Sequence, residues 1–277
     1  MSTFRGRAAV LAAAGALAAS LLPAAAAGAT EPLPVPAPAT HTARTADDLA
    51  RAWRAKAPAN VLLGRSVQGR SILATRQGPA TAPYVLLVLG QMHGSEPRGR
   101  DVVRAMRLLA PPSQVQVWTI VSMNPDGAAV GRRTNARGVD LNRNFPYLWS
   151  PSFTNRTSFY PGPSPASEPE VREVMSFLDN LRPGLVVSLH QHFDAVDLGA
   201  GKARPWSLRL ASAMHLRALV VPCSTGPCAG TMTQWFNHGH PGSAVTVELP
   251  LAVSSTLAAS YARAILRVGA MLPTTPA

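Results

Sequence analysis

The chain has 277 residues, 47% of them hydrophobic, enough to build the core of one large α/β domain or two small ones. Its formal net charge of +12 would suit a nucleic-acid binder, but the basic residues are almost all arginine and are scattered, with no cluster interleaved by aromatic side chains. Nucleic acid is therefore set aside as a partner.

Residues 1–29 carry Arg5 and Arg7 ahead of an uncharged Ala/Leu run that ends in small residues. That is the pattern of a secretory signal peptide, with cleavage expected after Ala25 or Ala27, and it implies a secreted or envelope-associated protein. A signal anchor competes with this reading, although Ala8 to Leu22 is short for a membrane span. For an exported chain of this charge, the anionic cell envelope is the expected electrostatic contact, and the protein is expected to be a monomer. Residues 30–44 contain "EPLPVPAPA", a Pro-rich spacer that should stay extended. Residues 45–277 then form the folded domain, with no internal repeat and no second linker.

The first helix is expected from Thr45, because Asp47 and Asp48 fall in its first turn and apolar residues follow at helical spacing. "LGRSVQGRSILATRQG" alternates apolar and polar residues about a central Gln-Gly and reads as a β-hairpin. Buried strands are expected at Tyr84 to Leu89, Val115 to Val121, Leu185 to Leu189, Ala218 to Val221 and Ala244 to Leu249, each short, apolar and rich in β-branched residues. Between and after them, helices are expected over Gly99 to Leu109, Pro169 to Leu181, Trp206 to Leu216 and Ser255 to Leu272. Asn124 to Gly127 reads as a turn. This alternation predicts an α/β fold, with a mixed, mostly parallel central sheet covered by helices on both faces and ligands at the carboxyl ends of the strands.

His93 and Glu96 follow the first buried strand closely enough to sit at its carboxyl end, where both could reach one metal ion. Alone the pair is weak evidence, since a loop histidine beside a solvated glutamate looks the same. Catalytic zinc takes about three protein ligands, and "VVSLHQHFD" offers a third at the end of another buried strand. His190 and His192 lie on the same strand face by period-two alternation, so the pattern leaves both open. The segment "NPDGAAVGRRTNARGVDLNRNFP" has four arginines among many hydrogen-bonding side chains, which suits a wall that binds an anion. In "AVTVELP", Glu248 is a carboxylate out of place in a pure core strand and is expected to face a site. Cys223 and Cys228 favour a local disulfide if the protein is exported, because a zinc knuckle would need a second ligand pair that is not evident.

Taken together, "HGSE", "NPDG", "GVDLNRNF", "SLH" and "TVELP" occur in an order that resembles the zinc metallocarboxypeptidase family typified by carboxypeptidase A, from about Leu63 to the C-terminal helix. The long form "RTNARGVDLNRNFP" is similar to the bacterial murein peptide amidase branch. The resemblance implies one zinc ion on His93, Glu96 and His190, with Asp140 orienting His93. It implies that Asn142 and Arg143 hold a substrate's terminal carboxylate, that Arg133 rather than Arg132 polarises the scissile carbonyl, and that Glu248 is the general base. Where digestive members carry a mobile tyrosine, this chain has "CSTGPCAGTM", so substrate capping must differ. Met232, Thr233 and Gln234 stand where a pocket-selecting residue is expected, which predicts neither a deep apolar pocket nor an acidic one.

The expected activity is hydrolysis of an amide bond next to a C-terminal residue, with murein peptides, cut between γ-D-glutamate and diaminopimelate, as the expected substrate. A general carboxypeptidase and an N-acyl amino acid deacylase are the enzymatic alternatives; "DLNRNF" argues against the second. A wall-binding protein without catalysis is disfavoured by the intact ligand set and base.

Overall fold

The first helix, α1 (Ala46–Lys56), starts where Thr45 predicts it: the Thr45 side chain accepts from the Asp48 N–H, and Asp48 reaches back to the Thr45 N–H. In this computed structural model the described residues are 45–151, 157–199, 201–223 and 228–272. The expected signal segment and Pro-rich spacer lie outside them. Among the described residues, no helix is long and apolar enough to cross a membrane.

After α1 come β1 (Asn60–Arg65) and β2 (Ser71–Gln77), the expected antiparallel hairpin. The α/β part begins with β3 (Tyr84–Leu89), α2 (Arg98–Arg107) and β4 (Val115–Ile120). It continues through α3 (Pro125–Val130), α4 (Pro169–Leu181) and β5 (Leu185–Gln191). Then follow β6 (Ala195–Asp197), α5 (Arg204–Met214), β7 (Arg217–Leu219), α6 (Met232–Gly239), β8 (Ser243–Leu249) and α7 (Ser255–Gly269). The strands form one eight-stranded sheet in the order β1-β2-β4-β3-β5-β8-β6-β7. Pairing is parallel between β3 and β4, β3 and β5, β5 and β8, and β6 and β7, and antiparallel elsewhere.

Strands β3, β4 and β5 are almost continuously buried because helices cover both faces of the sheet. On one face Leu86, Val88, Val117 and Val187 pack under α2, α5 and α7. On the other, Leu87, Trp118, Ile120 and Val186 pack under α1, α4 and α6, where Trp118 contacts both Trp53 and Phe177.

Three local expectations need correction. Asn124 to Gly127 is not only a turn: Asn124 Oδ1 accepts from the Gly127 N–H at 2.9 Å, and Pro125 occupies the first turn, so the same residues start α3. Neither β6 nor α6 was expected, because three residues carry no readable alternation and "TQWFN" is too short to establish a helical period. The strand expected at Ala218 to Val221 is β7, one residue earlier at its start and two shorter at its end.

The hairpin is fastened to α3 by Asp126, a buried carboxylate that accepts from Ser66 Oγ at 2.8 Å, the Gln68 N–H at 2.9 Å and Arg70 at 2.6 Å. Burial alone would raise its pKa, but hydrogen bonds from Arg70, Gln68 and Ser66 outweigh that, and the net shift is downward. On acidification the unfolded chain therefore takes up this proton first. The resulting stability is complete at neutral pH, erodes as pH falls through the ordinary carboxylate range and is gone below the folded-state pKa. Asp126→Ala leaves the Ser66 hydroxyl and the Gln68 amide without their acceptor and should cost about 2–4 kcal/mol. The check is the urea midpoint, which should fall with the slope unchanged, and the variant should lose less than wild type between pH 7 and pH 3.

Candidate metal centre and substrate cleft

The neighbouring parallel strands β3, β5 and β8 bring the chemistry to their carboxyl ends. Beyond β3, the Glu96 N–H donates to the His93 carbonyl at 3.0 Å, a tight turn that sets the two side chains side by side. Gly94 lies inside that turn, and a Cβ there would come within 2.3 Å of the Gly127 carbonyl oxygen, so only glycine lets the turn seat against α3. His190, near the end of β5, and Glu248, near the end of β8, are register partners. His192 lies beyond β5 and is exposed, so the open choice between the two histidines falls to His190 on geometry.

His93, Glu96 and His190 are all buried, and their potential ligand atoms lie within 4.8 Å of one another. His93 Nδ1 stands 2.8 Å from Glu96 Oε1 and 3.2 Å from His190 Nδ1, and His190 Nδ1 stands 3.0 Å from Glu96 Oε2. On its other side, His93 Nε2 meets Asp140 Oδ1 at 3.0 Å. That carboxylate can only accept, so Nε2 carries the hydrogen and Nδ1 presents a lone pair to Glu96. Acceptors thus converge on one point, which calls for a cation.

The electrostatics agree. Burial disfavours the His93 imidazolium, yet Glu96 and Asp140 outweigh burial and the opposing Arg133, and the net shift is upward. Burial would raise the Glu96 and Asp140 carboxyls, but both are held well below the carboxylate range, Glu96 chiefly by His93 and Asp140 chiefly by Arg133. Two imidazoles and one carboxylate form a donor set that catalytic zinc takes, the set carboxypeptidase A exemplifies. The residues therefore fit zinc, and His93, Glu96 and His190 are the ones that would hold it.

A cleft of about 430 Å³ opens beside this triad, lined also by Arg133, Asn142, Arg143 and Glu248. Glu248 is buried, and its Oε2 has no hydrogen-bond partner. Burial pushes its carboxyl pKa up, against the pull of His190 and with the help of Glu96. The "RTNARG" loop folds over Asn135, whose Oδ1 accepts from the Arg137 and Val139 N–H groups and whose Nδ2 donates to buried Glu168 and Glu170. That anchoring presents Arg133, which donates to Asp140 Oδ2 through Nε at 3.0 Å and Nη2 at 2.9 Å, and to Glu96 Oε1 through Nη1 at 3.1 Å. Arg132 is exposed and lines no part of the cleft.

Asn142 and Arg143 sit in a single 3₁₀ turn, Leu141–Arg143, that Asp140 caps through the Asn142 N–H. Asn142 Oδ1 accepts from the Met232 N–H at 3.1 Å, which leaves its amide nitrogen for a ligand. Arg143 is buried and makes no salt bridge among the described residues; its Nη1 donates to the Asn142 carbonyl and its Nη2 to Cys223 Sγ. Burial lowers its pKa and Asp140 raises it, leaving a guanidinium below its ordinary value yet still a cation. A buried guanidinium with no acidic partner among the described residues has the chemistry to take a carboxylate. Cys223 and Cys228 are joined in a disulfide that lines the same cleft.

The expectation of a pocket without an acid fails. Asp197, at the end of β6, lines both the cleft and a second cavity of about 450 Å³, which share Thr233, Gln234 and Thr246. The antiparallel register sets Ala195 beside Glu248 and Val196 beside Val247, so its continuation sets Asp197 beside Thr246, deeper than the base. Burial raises the Asp197 carboxyl pKa, while backbone N–H groups of Val221, Gly199 and Leu198 pull it down. Ser207 Oγ, fully buried with no hydrogen-bond partner, lines the second cavity. Sequence reasoning missed Asp197 because it belongs to a three-residue strand; the only signal was an acid seven residues after His190.

A family model described as zinc carboxypeptidase matches residues 58–196. Murein peptide amidase A of Escherichia coli K12 is 33% identical over 148 residues, 48% of this chain, and the chain spans 60% of that relative's length. The catalytic chain of rat carboxypeptidase N is also 33% identical, over 175 residues, covering 48% of this chain and 37% of the relative. Among solved structures, the murein-tripeptide amidase of Escherichia coli O157 aligns with a TM-score of 0.62 and 26% identity, covering 81% of this chain and 98% of that one. Carboxypeptidase A of Helicoverpa armigera aligns at 0.64 with 18% identity, over 81% of this chain and 70% of that one, a likeness of fold.

Proposed function

Because the chain belongs to the zinc carboxypeptidase family, we propose that it is a zinc hydrolase that cuts the amide bond preceding a C-terminal residue, acts on murein peptides between γ-D-glutamate and diaminopimelate, and works outside the cytoplasm. The observation that carries the chemistry is Glu248: a buried carboxylate with an unpartnered oxygen, facing the cleft in register with His190.

When bound, zinc supplies a Lewis acid that polarises the scissile carbonyl and acidifies water. Every other part of the reaction falls to side chains. Glu248 takes a proton from the attacking water and hands it to the leaving amine, a role its raised pKa suits. The Arg143 guanidinium and the Asn142 amide hold the terminal carboxylate, fixing which bond lies over the base. Arg133, already bracing Glu96 and Asp140, turns its exposed edge toward the carbonyl oxygen as negative charge develops there.

Asp197 supports the finer substrate reading. The side chain of diaminopimelate ends in an ammonium and a carboxylate, and the cleft offers the Asp197 carboxylate to the first and the Thr233 and Thr246 hydroxyls to the second. The basic balance of the chain supports contact with an anionic envelope. The test compares γ-D-glutamyl peptides ending in diaminopimelate and in norleucine. Wild type should favour diaminopimelate, and Asp197→Asn should cut that preference by about 30-fold, the worth of one charge-assisted hydrogen bond, while norleucine release stays within about twofold. Equal rates on the two substrates in wild type would turn the reading toward a general carboxypeptidase.

A further inference from the structure

We propose that the Cys223–Cys228 disulfide is a positioning element of the carboxylate clamp, holding the Arg143 guanidinium in its binding orientation. The inference rests on the proposed function, in which Arg143 receives the terminal carboxylate.

Three contacts carry it. Arg143 Nη2 donates to Cys223 Sγ at 3.4 Å, so one sulfur of the bridge is a direct neighbour of the guanidinium. Two residues beyond the other sulfur, the Gly230 carbonyl accepts from the Phe145 N–H at 3.0 Å. Gly230 has φ +62°, and a Cβ there would lie 2.3 Å from the Arg143 carbonyl oxygen, so this strip presses directly on the backbone that carries the arginine. Further along, the Met232 N–H donates to Asn142 Oδ1 at 3.1 Å. One cysteine therefore touches the head of Arg143, and the other leads into a strip that is hydrogen-bonded to the Phe145 N–H and to the Asn142 side chain, on either side of the arginine in sequence.

The bridge closes the triangle. Without it, Cys223 is tied to the clamp by one weak sulfur contact, and Arg143 Nη2 loses a fixed neighbour. Among the described residues, the other contacts of the guanidinium are the carbonyl of its own neighbour and the Phe159 ring, with its carbon 5.9 Å from the ring centroid. Neither fixes rotation about the long side chain. With a sequence separation of 5, the bridge closes a short loop, the case in which loop closure stabilises least, so its value is local.

The experiment uses the zinc-loaded full chain and the double variant Cys223→Ser/Cys228→Ser, with a peptide and its C-terminal amide as substrates. Wild type should discriminate strongly for the free acid. In the double variant, KM for the acid should rise about 10- to 100-fold, the cost of misplacing a clamp by about 1 Å, with kcat within about threefold and the amide unaffected. Zinc content should not change. Unaltered acid-to-amide discrimination, or a fall in kcat at constant KM, overturns the inference.

Should the double variant fail to fold, wild type reduced by a phosphine and then reoxidised replaces it, with discrimination lost and regained. Calorimetric titration with lysine and lysinamide requires no turnover. A wild type that hydrolyses nothing would count against the proposed function, while the titration would still decide the clamp: preference for lysine, weakened in the double variant, supports it, and no preference overturns it.

Discussion

Glu248→Gln is expected to lower kcat by about 10³-fold while zinc content and fold stay those of wild type. The substitution keeps shape and volume, so the neighbouring strand β6 and the partner His190 have no reason to move. What it removes is the ability to accept a proton, and none of the charged groups that surround the triad can take that over. Arg133 and Arg143 cannot deprotonate, Asp140 is locked by His93 and two Arg133 nitrogens, and Glu96 is held far below the carboxylate range by His93 and His190. Burial raises the Glu248 pKa, and a base acts deprotonated. The acid limb of kcat/KM should therefore belong to Glu248, with the rate rising as pH climbs through it. A pH profile of single-turnover rates checks this, and an acid limb that survives in the variant would assign the base elsewhere.

Removing the metal should abolish hydrolysis and also loosen the fold. His93, Glu96 and His190 come from two elements 94 residues apart in sequence, and with no cation their acceptor atoms face one another at 2.8 to 3.2 Å. A metal that binds only the folded state at 1,000 times its Kd stabilises it by about 4 kcal/mol. For a domain of this size that is about 10 °C in Tm. Chelation should lower Tm by that amount and zinc should restore it; His190→Ala should start low and not respond to either. A Tm indifferent to metal in wild type would show that the triad is held together by protonation instead.

Most of the fold is legible in the sequence because long, strongly patterned segments dominate it. "YVLLVL" and "LVVSLH" have no room to be anything but buried strands, and Pro169 announces the first turn of α4. The site is legible in proportion to how local its signals are. His93 and Glu96 sit in one turn and are visible as a pair, whereas choosing His190 over His192 requires knowing where β5 ends. Glu248 shows itself as a charge in an apolar strand. Asp197 does not, because its meaning depends on the antiparallel return of a three-residue strand against β8, a nonlocal pairing with no sequence period behind it. Asn135 misleads in the other direction: it looks like part of an anion-binding wall and instead holds its loop on Glu168 and Glu170.

The most direct test of the account is mass spectrometry of the products formed when the zinc-loaded protein is incubated with murein tripeptide, beside a chelator-treated sample and the Glu248→Gln variant. The account predicts release of free diaminopimelate, abolished by chelation and reduced by about three orders of magnitude in the variant. Intact tripeptide after prolonged incubation, with zinc bound and ordinary peptides equally untouched, would contradict it.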